Sequence, residues 1–379
     1  MLYRRFPRIP EKEISVLGFG MMRLPLKKDT NEIDYEQTKA MVKNAFDNGI
    51  NYFDTAYPYH GGKSEVVLGK AVKELGIRDK IYIADKMPLW DVKKQDDLQR
   101  IFDEQLKRLG TDYIDFYLLH AMNAERWQQV KDLQILSFIR QLKSSGKIKH
   151  IGFSFHDSPD AFKTIIDGFP MWEFCQVQYN YMDRDAADLI AYAAKNEIGS
   201  IVMEPLRGGL LAQPPKPVLD IFAAASKPRM PAEWGLRWVW ENQNVVVALS
   251  GMSAPEQMVM NIATACAGHP NSLPNAQLDT VKKASEWFNS RVKVPCTGCN
   301  YCSPCPKKIA ISDIFREWNR LSLNGHLEAT GNAKSAAYSD ILKSGRGVDQ
   351  CVECRLCEGY CPQKIQIPDL LKVAHSAMQ

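Results

Sequence analysis

Eight of the ten cysteines in the 379-residue chain crowd between Cys296 and Cys361, in two groups of four. The second group is Cys351, Cys354, Cys357 and Cys361, followed by Pro362. At this spacing the first three thiolates wrap one turn around a single iron–sulfur cubane. The fourth, turned aside by the proline, reaches a different cluster. The first group is Cys296, Cys299, Cys302 and Cys305, followed by Pro306, and its last gap is one residue shorter. That departure leaves the partner of Cys305 open. The expected cofactors are two [4Fe-4S] clusters held by these eight residues. Structural zinc is the alternative, disfavoured because zinc ribbons use cysteine pairs rather than runs of four. Cys175 and Cys266 stand alone, and the crowding of the others argues for a metal site in a reducing compartment rather than disulfides.

A second set of chemically useful residues lies at the ends of apolar runs. One run ends at Asp54, the next near Lys86, the third at His120, and Tyr59 follows Asp54 by five residues. Singly, each has a plain structural reading. Asp54 caps a turn, Lys86 is a solvated loop lysine, His120 is a core histidine, and Tyr59 is packing. Four such residues at three successive run ends are hard to attribute to packing alone. Trp90, Met87 and Pro88 follow Lys86 and read equally as pocket wall or barrel-mouth packing, as do Tyr179, Asn180 and Tyr181.

The elements that must position these groups alternate regularly. Short β-like runs begin at Val16–Phe19 and recur at 50–53, 80–84, 113–119, 148–153, 174–179, 199–204 and 245–250. Stretches with helical spacing separate them, among them Tyr35–Asn48, Ser64–Leu75, Asp96–Leu109, Trp127–Ser145 and Pro255–Ala267. Alternation with short connections implies a parallel sheet under helices. Eight units over about 250 residues fit a closed (β/α)8 TIM barrel. An open doubly wound sheet is the runner-up, weakened because no Gly-x-Gly-x-x-Gly turn follows the first strand. Residues 210–230 are proline-rich and read as a stiff connection. Ala276–Ser290 and Ile311–Leu323 read as helices. The expected domains are a barrel over 1–290 and a small, mainly helical iron–sulfur domain over 291–379.

Composition narrows the function classes. Hydrophobic residues make up 45% and charged residues 24%, with a net charge of only +4. This is a globular composition, without the basic excess of a nucleic-acid binder. No run of eighteen apolar residues suggests a membrane span, and no apolar signal core follows the basic start. The expectation is a cytoplasmic protein.

With these motifs in place, the stretch from about residue 10 to 265 resembles the aldo-keto reductases. The family's tetrad of Asp, Tyr, Lys and His falls on Asp54, Tyr59, Lys86 and His120. Tyr57, three residues after the aspartate rather than five, does not match. The tail resembles the subgroup with ferredoxin-type extensions, and its long inter-group segment is similar to all-helical dicluster ferredoxin modules. By that analogy one cluster takes Cys296, Cys299, Cys302 and Cys361, and the other takes Cys351, Cys354, Cys357 and Cys305.

The resemblance implies carbonyl reduction. Hydride arrival puts negative charge on the carbonyl oxygen, and a proton donor is needed there. Tyrosine's pKa of about 10 makes it a poor donor alone. The Lys86 ammonium would stabilise the tyrosinate, Asp54 would keep Lys86 charged and oriented, and His120 would orient the carbonyl. NADP or NAD is the implied cofactor. Its matched positions are Ser154, Gln178, Pro205, Leu206, Gly208, Gly209 and Leu210, then Ser250, Gly251, Met252, Ser253, Gln257 and Asn261. Two departures stand out. Phe155 and His156 follow Ser154 where the family has Asn, and His156 is taken as a substitute polar contact. Gly251 and Gln257 replace the lysine and arginine that grip a 2′-phosphate, so no preference for NADP is expected.

The leading expectation is an oxidoreductase acting on a small carbonyl or alcohol, with clusters that serve electron transfer or structure. One alternative is a reductase coupled to a ferredoxin-like partner protein, with nicotinamide secondary or absent. Another is a non-catalytic regulatory barrel subunit, which the complete tetrad disfavours.

Overall fold

The computed structural model describes residues 1–327 and 332–379. The chain starts with an antiparallel hairpin, β1 (Tyr3–Phe6) and β2 (Ile9–Ser15). There follow β3 (Leu17–Gly20), α1 (Tyr35–Asp47), β4 (Tyr52–Asp54), α2 (Lys63–Leu75), β5 (Tyr82–Met87) and α3 (Gln95–Leu109). Next come β6 (Ile114–Met122), α4 (Ala124–Asp132), α5 (Ile135–Ser144), β7 (Ile148–Phe155), α6 (Pro159–Asp167), β8 (Phe174–Gln178) and α7 (Ala186–Lys195). The last barrel elements are β9 (Gly199–Met203), α8 (Lys216–Ala223), α9 (Pro231–Glu241), β10 (Val245–Ser250) and α10 (Pro255–Ala265). Strands β3 to β10 are parallel, and β10 pairs with both β9 and β3, so the sheet closes as the expected TIM barrel.

The hairpin was not foreseen. Its Phe6 packs against Phe116 and Phe174, with ring centroids at 5.5 and 5.8 Å, within an apolar cluster that includes Ile9, Ile14, Tyr52 and Leu118. Gly199 makes room for it, since a Cβ there would lie 2.1 Å from Phe6 Cδ1. The single helix expected over 127–145 is two, α4 and α5, broken where Gln134 takes a left-handed φ of 53°. The proline-rich connection contains α8, with Pro217 in its first turn, where a missing N–H costs nothing.

Helices α11 (Asn275–Asn289), α12 (Ile311–Leu323), α13 (Ala336–Lys343), α14 (Leu356–Tyr360) and α15 (Ile367–Met378) complete the chain. Two compact units result: Met1–Leu206 with Ala232–Pro274, and Arg207–Pro231 with Asn275–Gln379. In this division α8 and α11 belong with the tail, and they pack on each other. The tail's own core joins α12 and α15 through Phe315, Trp318, Ile367 and Leu371. No helix among the described residues is long and apolar enough to cross a membrane.

Candidate functional site

Adjacent strands β4 and β5 bring Asp54 and Lys86 together. Lys86 Nζ donates to Asp54 Oδ1 at 2.6 Å and to the Thr55 carbonyl at 2.7 Å, and it lies 3.5 Å from the Tyr59 hydroxyl. All three side chains are buried. Tyr59 opens a tight turn, Tyr59–Gly62, in which His60 and Gly61 are left-handed. His60 Nε2 pins that turn by accepting the Leu24 N–H at 3.2 Å. The His120 ring stands edge-on to Tyr59 at 6.3 Å and packs on Trp90 at 4.9 Å. The four tetrad residues are thus gathered in one place.

Strand β6 does not end at His120 but runs on to Met122 through Ala121, which has a φ of 52°. That conformation costs an L-residue roughly 1–2 kcal/mol. Two hydrogen bonds hold it: Ala121 N–H donates to Ser154 Oγ at 2.7 Å, and Arg126 donates to the Ala121 carbonyl. Burial drives the His120 pKa well below its usual value, and the positive charge of Lys86 and Arg126 adds to this. His120 is therefore a neutral imidazole. Burial also raises the Asp54 carboxyl, against the pull of Lys86.

The residues matched to nicotinamide binding lie in several places. Ser154 is buried beside Ala121, and Gln178 donates its amide to Asp183. His156 is near enough to His120 to help depress it. Ser250 Oγ accepts from Asn261, tying β10 to α10. Ser253 N–H donates to Gln257 Oε1 at 2.8 Å. Met252 is core, at 1% exposed. The N-cap of α10, Ala254, offers no side-chain cap, so first-turn amides remain for an anion. Pro205 is buried and Leu206 half-buried. Gly208, Gly209 and Leu210 fall in the second unit, and both glycines are exposed with left-handed φ of 63° and 98°. The uncapped α10 terminus by itself has the chemistry to meet an anionic group. No lysine or arginine lies in 250–261 to meet a 2′-phosphate. Arg23 packs against Gly251, but its guanidinium faces Glu204 at 3.7 Å.

In the tail the eight cysteines line two cavities. Cys296, Cys299, Cys302 and Cys361 surround one, and Cys305, Cys351, Cys354 and Cys357 surround the other. The two loops share a backbone despite their unequal gaps. Gly298 and Asn300 are left-handed at φ 69° and 63°, and Glu353 and Arg355 match them at 55° and 57°. Lys308 and Lys364, three residues past each closing cysteine, pair likewise at 53° and 49°. Such turns aim successive N–H groups at one point, a cradle for an anionic cluster. Burial pushes the Cys302 thiol up to about 12, and Cys299, Cys296 and Cys361 add to it; Cys357 reaches about 11 by burial and the nearness of Cys305. A bound metal cation would favour the ionised form of thiols so placed. Among the described residues no three His, Cys, Asp or Glu converge as ligands of a single ion would. Four thiols around each cavity are the donor set of a cubane.

Sequence reasoning missed Thr55, Arg126 and Arg23. Only Thr55, next to the aspartate, carried a signal. Tyr57 is turned away to bond Glu104 at 2.7 Å. Asn180 anchors a turn by accepting from Met182 and Asp183, and Tyr179 packs on Trp238.

The aldo/keto reductase family model matches residues 16–285, and the 4Fe-4S dicluster domain model matches 295–365. The chain is 29% identical over 276 residues to L-galactose dehydrogenase of Arabidopsis thaliana, covering 66% of this chain and 84% of that one. It is 27% identical over 264 residues to an NADH-specific methylglyoxal reductase of Escherichia coli, covering 57% and 78%. An aldo-keto reductase of Bacillus halodurans, solved in its holo form, shares the fold at a TM-score of 0.62 and 24% identity, over 75% of this chain and 96% of that one. With the first family model spanning most of its length, the chain belongs to the aldo/keto reductase family, as an oxidoreductase with a C-terminal 4Fe-4S domain.

Proposed function

We propose that the chain reduces small aldehydes or ketones, or oxidises the matching alcohols, and that its tail holds two [4Fe-4S] clusters. The domain division on this reading falls near residue 290. The observation that carries it is the buried Lys86–Asp54 pair within reach of Tyr59, beside a neutral His120. His120 donates a hydrogen bond to the substrate oxygen. Tyr59 gives that oxygen its proton, and Lys86 stabilises the phenolate left behind. Asp54 keeps Lys86 charged. Trp90, packed on His120, walls the site, while Met87 follows Lys86 on β5 and so turns to the Asp85 face. A bound nicotinamide would supply the hydride, and a relative named as an NADH-specific methylglyoxal reductase supports use of NADH. The proposed cluster ligands are the two cysteine quartets named above, and bound clusters supply one-electron capacity.

The test is turnover of an aldehyde and ketone panel with NADH and with NADPH. Inertness toward the whole panel with cofactor demonstrably bound overturns the carbonyl reading. Iron analysis with paramagnetic resonance of the reduced protein tests the clusters, and zinc without iron overturns them. The ferredoxin-coupled reading draws support from the missing cations in 250–261 and from the exposure of Cys354. Anaerobic mixing of cluster-loaded protein with NADH or NADPH separates the two. Bleaching of the cluster absorption makes the tail part of the redox path; no bleaching, with nicotinamide bound, makes it structural or partner-directed.

A further inference from the structure

Behind the tetrad, under the helices, lies a second carboxyl pair. Asp85 precedes Lys86 on β5, so their side chains point to opposite faces of the barrel wall. Glu65 stands in the first turn of α2, directly after the turn that starts at Tyr59. Both carboxyls are 0% exposed, and they meet within hydrogen-bond reach. Glu65 Oε2 accepts from Arg108 at 2.7 Å, and Asp85 Oδ1 accepts the Lys86 backbone N–H at 2.8 Å. Asp85 Oδ2 and Glu65 Oε1 accept no well-aligned hydrogen bond among the described residues, although the Gln105 amide stands close enough to Glu65 to favour its ionised form.

We propose that Asp85 and Glu65 share one proton between these two oxygens, and that the clasp makes Asp85 a positioning residue that sets the Tyr59–Lys86 separation. The positional half rests on the carbonyl-reductase reading above. The clasp ties the segment carrying Tyr59 to the strand carrying Lys86 at neighbouring residues. Two carboxylates in contact in a dry site cannot both ionise. The charges around them do not change that. From α3, Arg108 is the cation that reaches the pair, and it is divided among Glu65, Glu104 and the Tyr57 carbonyl. Gln105, also on α3, donates to the Lys86 carbonyl and accepts from Tyr117 on β6. Tyr57 faces Glu104, and the Lys86 ammonium lies on the inner face with Asp54. Burial and Glu65 together hold the Asp85 carboxyl well above the ordinary range.

Infrared spectroscopy of the full-length protein at neutral pH tests the proton. A protonated-carboxyl stretch is expected in the parent and absent from Asp85→Asn; its absence from the parent overturns the proposal. Kinetics test the positioning. Asp85→Ala is expected to lower kcat about 10- to 100-fold with KM nearly unchanged. Asp85→Asn, which keeps a donor against Glu65, is expected to restore most of that. Equal losses in both variants, or none in Asp85→Ala, overturn it. Thermal melting adds a readout free of substrate. A raised folded pKa means the folded state holds the extra proton, so the parent loses stability as pH climbs above the unfolded value near 3.9. Asp85→Asn is expected to gain on the parent as pH rises, and a constant gap between them counts against the shared proton. A parent inert toward every carbonyl sinks the functional reading instead, while the infrared and melting comparisons still decide the clasp.

Discussion

In the barrel, Lys86 and Asp54 face each other from paired strands, and their charges cancel at 2.6 Å. In the tail, eight thiols project from loops that hold six left-handed residues and little regular structure between the cysteines. The barrel completes its site with its own side chains. The tail presents two rings of thiols whose pKa values are raised by burial and then by one another, the ionised forms of which bound metal would favour. One site is organised by the fold; on the ligation proposed above, the other would organise its part of the fold through the ligand.

The sharpest way to break this contrast is to strip the iron with an anaerobic chelator. The tail is expected to lose its helical signal and become protease-sensitive, while the barrel keeps its melting transition. A tail that stays folded would show that α12 and α15 suffice. Next in size, Tyr59→Phe is expected to cost about 10²- to 10⁴-fold in turnover with melting unchanged; retained turnover removes Tyr59 as the acid. Gly199→Ala crowds Phe6 and is expected to lower barrel stability by about 1–3 kcal/mol with the cluster spectrum unaltered. An unshifted denaturation midpoint would mean that the hairpin is not a packed part of the barrel.

The smallest effect is in pH. The folded pKa of His120 is depressed, so protons favour the unfolded state. Its stability contribution is complete above the unfolded value near 6.5 and shrinks as pH falls below it. Between about pH 6.5 and 5, the parent should lose stability faster than His120→Gln, as read by denaturant titration. Parallel curves would mean that His120 titrates normally.

The strand–helix beat was legible because apolar runs and helical spacing are local patterns, and α12 coincides with its expected range. The tetrad was legible because strand ends converge in any such barrel. The hairpin was not, since Tyr3 to Ser15 alternates weakly and its value lies in the distant partners Phe116 and Phe174. The break at Gln134 carries no glycine or proline to announce it. Asp85 reads as one more acidic residue until α2 places Glu65 against it. The shortened first cysteine gap looked like a defect in spacing, yet the paired left-handed residues bring both loops to the same shape.

The exchange of closing cysteines bears on how the protein is made. Cys361 completes the cavity begun by Cys296, and Cys305 completes the one built from Cys351 onward. A ribosome that has finished the barrel and the first loop has not yet finished a single cluster site. With the ligation proposed here, iron loading waits for the last turn of the second loop. A chain stalled before Cys351 would leave the ribosome with a complete barrel and nowhere to put a cluster.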